Sequence, residues 1–171
     1  MSDTQPAGET AFPPASIKAF LRFCAGEWMS LRSQLSLGLS GDDDSWHSSE
    51  RGELVVQYLE PRQPGEPGGL SVAPKGDGAI QGSTSLHFSA DGSFCAEASS
   101  GAASPANQGN WTLWPDGSLE LVALAPGGER REKIWFTKPN LRLRSTVETP
   151  SDGSPGRASF SSEIRRVSRP T

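Results

Sequence analysis

Hydrophobic and polar positions follow a helical spacing once, near the N-terminus, and an alternating one wherever a pattern can be read after it. In the segment SIKAFLRFCAGEW, Ile17, Phe20, Leu21 and Cys24 recur at intervals of three and four, which sets them on one face of a helix with 3.6 residues per turn. Ser16 is available as an N-cap and Gly26 as a stop, so one short amphipathic helix is predicted. After Gly26 the period becomes two. GELVVQYLE carries Leu54, Val56 and Tyr58 on one face with β-branched residues between them, as a well-buried strand does, whereas WMSLRSQLSLGL alternates less regularly. GLSGDDDSWHSSERG reads as a polar loop between these two, PRQPGEPGG as a second breaker, and LSVAPKGDGAIQ carries little pattern.

Turn chemistry predicts three hairpins. Ala90-Asp91-Gly92 and Pro115-Asp116-Gly117 each separate two alternating runs, and a glycine after an aspartate suits the positive φ that tight turns require. The third hairpin pairs REKIWFT with LRLRSTVE through Lys138-Pro139-Asn140, and RASFSSEIRRVS adds a last strand. Eight to ten short antiparallel strands in sequence, with no helices between them, favour an up-and-down barrel over a sandwich. Closure removes exposed edges and leaves room for one small ligand.

The 171 residues fit one domain. Met1 to about Ala15 is rich in Ser, Thr, Pro and Gly, so this tail is expected to be disordered and the domain to run over 16–168. No apolar run reaches the ~20 residues of a membrane-spanning helix, and the N-terminus lacks the marks of a secretory or transit peptide. A cytoplasmic chain is expected. A net charge of −4 argues against a nucleic-acid-binding surface. Cys24 and Cys95 are read as reduced thiols, His47 and His87 are isolated, Asp42 to Asp44 form a solvated turn, and Trp46 is a candidate lid or partner contact.

Candidate chemistry concentrates in the third hairpin. In Leu141-Arg142-Leu143-Arg144, alternation sends both arginines to one face, side by side, where two guanidinium groups can clamp a carboxylate. The same parity also fits the wet outer face of an ordinary strand. Glu132, on the other arm, can reach the arginine face across the ladder. Trp135 lies three residues further on and has the opposite parity, so only a bulge would aim both into one cavity. Trp28, Trp111 and Trp114 read first as core.

The segment Glu132 to Ser145, EKIWFTKPNLRLRS, resembles the E-R-I/L-W-F-x-x-P-N-L-R-x-R core of the CpcS/CpeS-type phycobiliprotein chromophore lyases. Phe23-Cys-Ala-Gly-Glu-Trp28 followed by Ser30 and Arg32 is similar to that family's opening F-x-x-S-A-G-x-W-x-S-x-R, and Gly82-Ser-Thr84 and GNWTLWPDGSLEL match further elements. The resemblance implies a calycin-type barrel of about ten strands, like the fatty-acid-binding proteins and lipocalins. It implies a lyase whose substrate is an open-chain tetrapyrrole, phycocyanobilin or phycoerythrobilin, with no permanently bound cofactor. The bilin would be attached by a thioether to a cysteine of a phycobiliprotein α or β subunit, in the cyanobacterial cytosol or the plastid stroma. Glu132 is then the implied catalytic acid, and Arg142, Arg144, Trp135, Trp28, Arg32 and Asn140 the implied bilin-binding set. A homodimer, or a heterodimer with a related lyase subunit, is also implied. The alternative is a non-catalytic bilin-binding partner or carrier of the same fold, and a third reading is a lipocalin-like carrier of another apolar ligand.

Overall fold

The computed structural model describes residues 11–38, 47–76, 82–99 and 108–168. One helix, α1 (Ile17–Cys24), precedes ten strands: β1 (Gly26–Ser36), β2 (His47–Leu59), β3 (Gly68–Pro74), β4 (Thr84–Phe88), β5 (Ser93–Ala98), β6 (Gln108–Leu113), β7 (Leu119–Ala125), β8 (Gly128–Lys138), β9 (Leu141–Pro150) and β10 (Arg157–Arg165). Each strand pairs antiparallel with the next, and β10 pairs back onto β1, giving a closed ten-stranded meander. The up-and-down barrel expected from the alternation is the fold, and closure gives every strand a neighbour on both sides. Among the described residues no helix is long and apolar enough to cross a membrane.

Local signals account for the element ends. The Ser16 hydroxyl accepts from the Ala19 N–H at 3.1 Å, capping α1 as its sequence suggests. Asp91, Asp116 and Asp152 each stand before Gly-Ser, and in all three a carboxylate oxygen accepts from the N–H of the serine two residues on, at 2.9, 2.9 and 2.8 Å. Gly92 and Gly117 take the positive φ, 91° and 84°, that these turns demand. The third such turn, between β9 and β10, was not singled out from sequence.

One boundary differs from expectation. His47 to Gly52, read as loop, begins β2 and pairs with β1 from Leu35↔His47 onward. All six residues are exposed, so no hydrophobic alternation marks them, and the ladder to β1 runs along their length. In the expected tail, residues 1–10 lie outside the described residues, whereas Phe12 meets the Phe23 ring at 5.8 Å and Pro14 is buried. Trp46 and Asp42 to Asp44 also lie outside them.

The core fills one end of the barrel. The face of α1 read from its spacing buries Phe20, Leu21 and Cys24 against Trp28, Val56, Leu70 and Leu119. Phe136 of β8 closes this plug, edge-on to Phe20 at 5.3 Å and to Phe23 at 4.8 Å, the geometry that aromatic quadrupoles favour. Along β2 to β7 the inward positions remain apolar towards the other end, whereas on β8, β9, β10 and β1 they turn ionic.

Candidate functional site

Above the plug the barrel encloses a cavity of about 660 Å³. Leu54, Leu86, Phe94, Ala96 and Leu121 line one wall, while Arg130, Glu132, Arg144 and Glu148 line the other. Register explains the division: Glu132 stands opposite Thr146 and Ile134 opposite Arg144, so the inward parity of β8 and β9 carries the charges. The charged wall carries both signs, so the space offers one apolar face and one ionic face.

The charges form one chain running from the cavity to the plug. Arg130 Nη2 lies 3.5 Å from Glu132 Oε2, and Glu132 Oε1 lies 3.5 Å from Arg144 Nη1. Arg144 Nη2 stands 3.1 Å from Glu163 Oε1, and Arg142 Nε donates to Glu163 Oε2 at 2.5 Å. Burial is greatest at the plug end: the Arg130 side chain is 56% exposed, Glu132 14%, Arg144 23%, Arg142 4% and Glu163 fully buried. Glu163 Oε1 has no directed hydrogen bond despite its ion pair with Arg144, so it is neutralised by charge and not by geometry. A buried carboxylate is tolerable only beside such partners.

Arg142 and Arg144 share the interior face, yet they are not equivalent. Arg142 is 3% exposed, bonded to Glu163 and stacked over Trp28 with its guanidinium carbon 4.6 Å from the ring centroid. Arg144 is the one of the two that lines the cavity. Trp28 is fully buried, donates its indole N–H to the Cys24 carbonyl at 2.9 Å and meets Arg165 at 4.3 Å. Of the expected pair of propionate-holding arginines and the Trp28 wall, Arg144 lines the cavity, whereas Arg142 and Trp28 sit in the plug beneath it. Burial pushes the neighbouring Cys24 thiol up in pKa.

Three further expectations resolve differently. Trp135 faces outward opposite Leu143 and packs against Phe160 at 6.3 Å. The bulge in β8 falls between Phe136 and Lys138, after Trp135, and so cannot turn it inward. Asn140 is exposed in the β8–β9 turn, its carbonyl accepting from the Arg165 N–H at 2.9 Å; the turn joins strand ends that carry Phe136 and Arg142, at the plug. Arg32 faces inward but lines a separate polar recess of about 140 Å³ with Gln34, Thr146, Glu148, Arg157 and Ser159. Glu132 alone of the expected set joins Arg144 in the main cavity.

Sequence reasoning missed Glu163, Arg130 and Glu148. Alternation in RASFSSEIRRVS already sets Glu163 in phase with Ser161 and Ser159 and opposite to Phe160 and Ile164. That was a signal for an inward carboxylate, but the register linking it to Arg142 crosses a loop of unspecified length.

A closed ten-stranded calyx around a cavity that is apolar on one wall and ionic on the other defines a β-barrel protein of the calyx type. Comparison with known proteins narrows this. Residues 90–166 match the family model described as CpeS-like protein. The chain is 44% identical over 161 residues to chromophore lyase CpcS/CpeS 1 of Paulinella chromatophora, covering 94% of each chain. It is 44% identical over 60 residues to chromophore lyase CpcS/CpeS 2 of Synechococcus sp. (strain JA-3-3Ab), covering 35% of this chain and 32% of that one. Its fold resembles the S-type phycobiliprotein lyase CPES of Guillardia theta, with a TM-score of 0.66 and 21% identity, covering 90% of this chain and 94% of that one. The chain belongs to the CpcS/CpeS chromophore lyase family.

Proposed function

We propose that this chain binds a linear tetrapyrrole in its lumen and adds it through a thioether to a cysteine of a phycobiliprotein subunit. The observation that carries the reading is the Arg130–Glu132–Arg144 ion chain facing the apolar wall of the cavity. A bilin offers propionates to guanidinium groups and pyrrole N–H donors to a carboxylate. A propionate that takes over Arg144 competes with Glu132 for the same Nη1, releasing Glu132 towards the pyrrole nitrogens. The apolar wall from Leu54 to Leu121 covers the ring faces.

In the proposed reaction the acceptor thiolate forms a C–S bond at the ethylidene carbon of ring A. The ethylidene double bond opens, the electron pair enters the conjugated system, and that system gains a proton to replace the one the thiol lost. Glu132 is the group assigned to deliver it. The lumen holds one conformer and excludes water from the reactive carbon. Glu132→Gln keeps the shape and removes the ionisable oxygen. It is expected to slow transfer from phycocyanobilin to an apo-phycobiliprotein subunit roughly 100-fold, within the range of lost general acids, while binding changes little. Transfer at the wild-type rate removes Glu132 from this role, and bilin binding with no transfer by either protein leaves a carrier.

A further inference from the structure

On three strands of the apolar wall the inward side chains shrink from the plug towards the opposite end of the barrel. Along β7, the buried Leu119 and Leu121 give way to Ala123 and Ala125. Along β5, Phe94 gives way to Ala96 and Ala98, and along β4, Phe88 and Leu86 give way to Thr84. Register sets these changes side by side: Leu86 pairs with Ala96, Thr84 with Ala98, and Ala125 with Gly128 of β8. The outward positions of β7, Glu120, Val122 and Leu124, keep their bulk, so the loss of volume belongs to the lumen and not to the strand end. The ladder closes the sides of the barrel, and α1 with Phe136 closes the plug end. A protein thiol therefore approaches the lumen through its flared end.

We infer that a bilin in this lumen lies with ring A at the flared end, beside Ala123 and Ala125, and with ring D against Leu86, Phe94 and Leu121. The inference rests on the bilin reading above and adds the direction of the substrate. Cysteine has a short reach. A disulfide holds two Cα atoms about 5.5–6 Å apart, so each sulfur stands roughly 3 Å from its own Cα. Attack needs reacting atoms about 3–3.5 Å apart, so the acceptor backbone must come within roughly 6 Å of the ethylidene carbon. At a rise of ~3.4 Å per residue, Leu121 lies roughly 14 Å along β7 from Ala125. With ring A beside Leu121, the acceptor chain would have to thread that far past the bilin itself. With ring A beside the alanines, the backbone stops at the rim, and the methyl side chains leave room for the thiol and its neighbouring peptide. The bulkier Leu86, Phe94 and Leu121 then cover a ring that does not react.

The test places a thiol in the lumen of the full chain and locates where phycocyanobilin attaches. Neither native thiol lines the cavity, since Cys24 is in the plug and Cys95 on the outer side of β5. Ala123→Cys and Ala125→Cys put a thiol at the flared end, Leu121→Cys and Leu86→Cys at the deep end. Each variant is mixed with phycocyanobilin; bound bilin is read by absorbance, and covalent bilin by intact mass and peptide mapping after denaturation. In the adduct the introduced sulfur bonds to the ethylidene carbon, the π pair enters the conjugated system, and that system takes up the proton the thiol released. One bilin per chain is expected at position 123 or 125, roughly 10-fold or more faster than at 121 or 86, among variants whose far-ultraviolet circular dichroism matches the wild type. Equal or faster labelling at a deep position overturns the inference, and so does bound bilin that labels neither alanine position. A wild type that gives no absorbance change with phycocyanobilin refutes the bilin reading itself, and the direction falls with it.

Discussion

Glu163 is fully buried and accepts a 2.5 Å hydrogen bond from Arg142, and the cavity-lining Arg144 stands 3.1 Å from its other oxygen. The pair holds one end of the ionic chain in the plug, while Arg130 at the other end is open to solvent.

Removing that carboxylate tests its weight in the fold. Glu163→Gln preserves volume but leaves Arg142 buried without a counter-charge. Breaking one partner of a buried pair costs about 3–5 kcal/mol, and for a chain of this size each kcal/mol moves the melting temperature by about 2–4 °C. A fall of roughly 10 °C is expected by thermal denaturation. Arg130→Gln, which cuts the solvent-exposed end of the same chain, is expected to move it by less than about 2 °C. Equal effects of the two variants would deny the difference in burial any energetic meaning.

Ligand affinity separates the cavity from its surroundings. Arg144→Ala removes the half-buried cavity arginine, and loss of a charge-assisted bond worth about 1.5–3 kcal/mol weakens binding roughly 10- to 100-fold. Trp135→Ala acts on the outer face and is expected to leave phycocyanobilin affinity within about twofold, in keeping with surface substitutions. Absorbance titration of both variants checks this. A large loss with Trp135→Ala would return that indole to the binding site.

The two thiols differ in access. Cys24 is fully buried, whereas Cys95 is half-buried on the outer side of β5 opposite His87. A chromogenic disulfide reagent is expected to titrate one thiol in the native protein and the second only on unfolding. Burial first, and Glu163 further, raise the Cys24 pKa above its ordinary 9.0. A raised folded pKa means that the unfolded chain ionises first. The stability is therefore present below pH 9.0 and is lost as pH climbs through the folded value. The alkaline fall in melting temperature should be shallower in Cys24→Ala; identical slopes would remove Cys24 from the effect.

Parity was legible in the sequence, and register was not. Alternation put Arg142 with Arg144 and separated Glu132 from Trp135, and the closed barrel turned that parity into inside and outside. Height along the barrel axis decides which inward residue meets ligand and which meets core. It depends on how β10 aligns with β9, across the loop from Ser151 to Gly156. Hence Arg142 and Trp28, correct in facing inward, fell below the cavity, and Glu163 went unread. The polar start of β2 was missed for another reason: its residues bury nothing, so only a partner strand reveals them.

The most direct measurement is covalent transfer by the wild-type chain. Purified protein, phycocyanobilin and an apo-phycobiliprotein subunit are mixed, and the acceptor is followed by peptide mass spectrometry and zinc-induced fluorescence after denaturation. The proposed function predicts one bilin added at one cysteine, faster than free bilin adds alone and as a single product. The same rate and product mixture with and without the chain would contradict it.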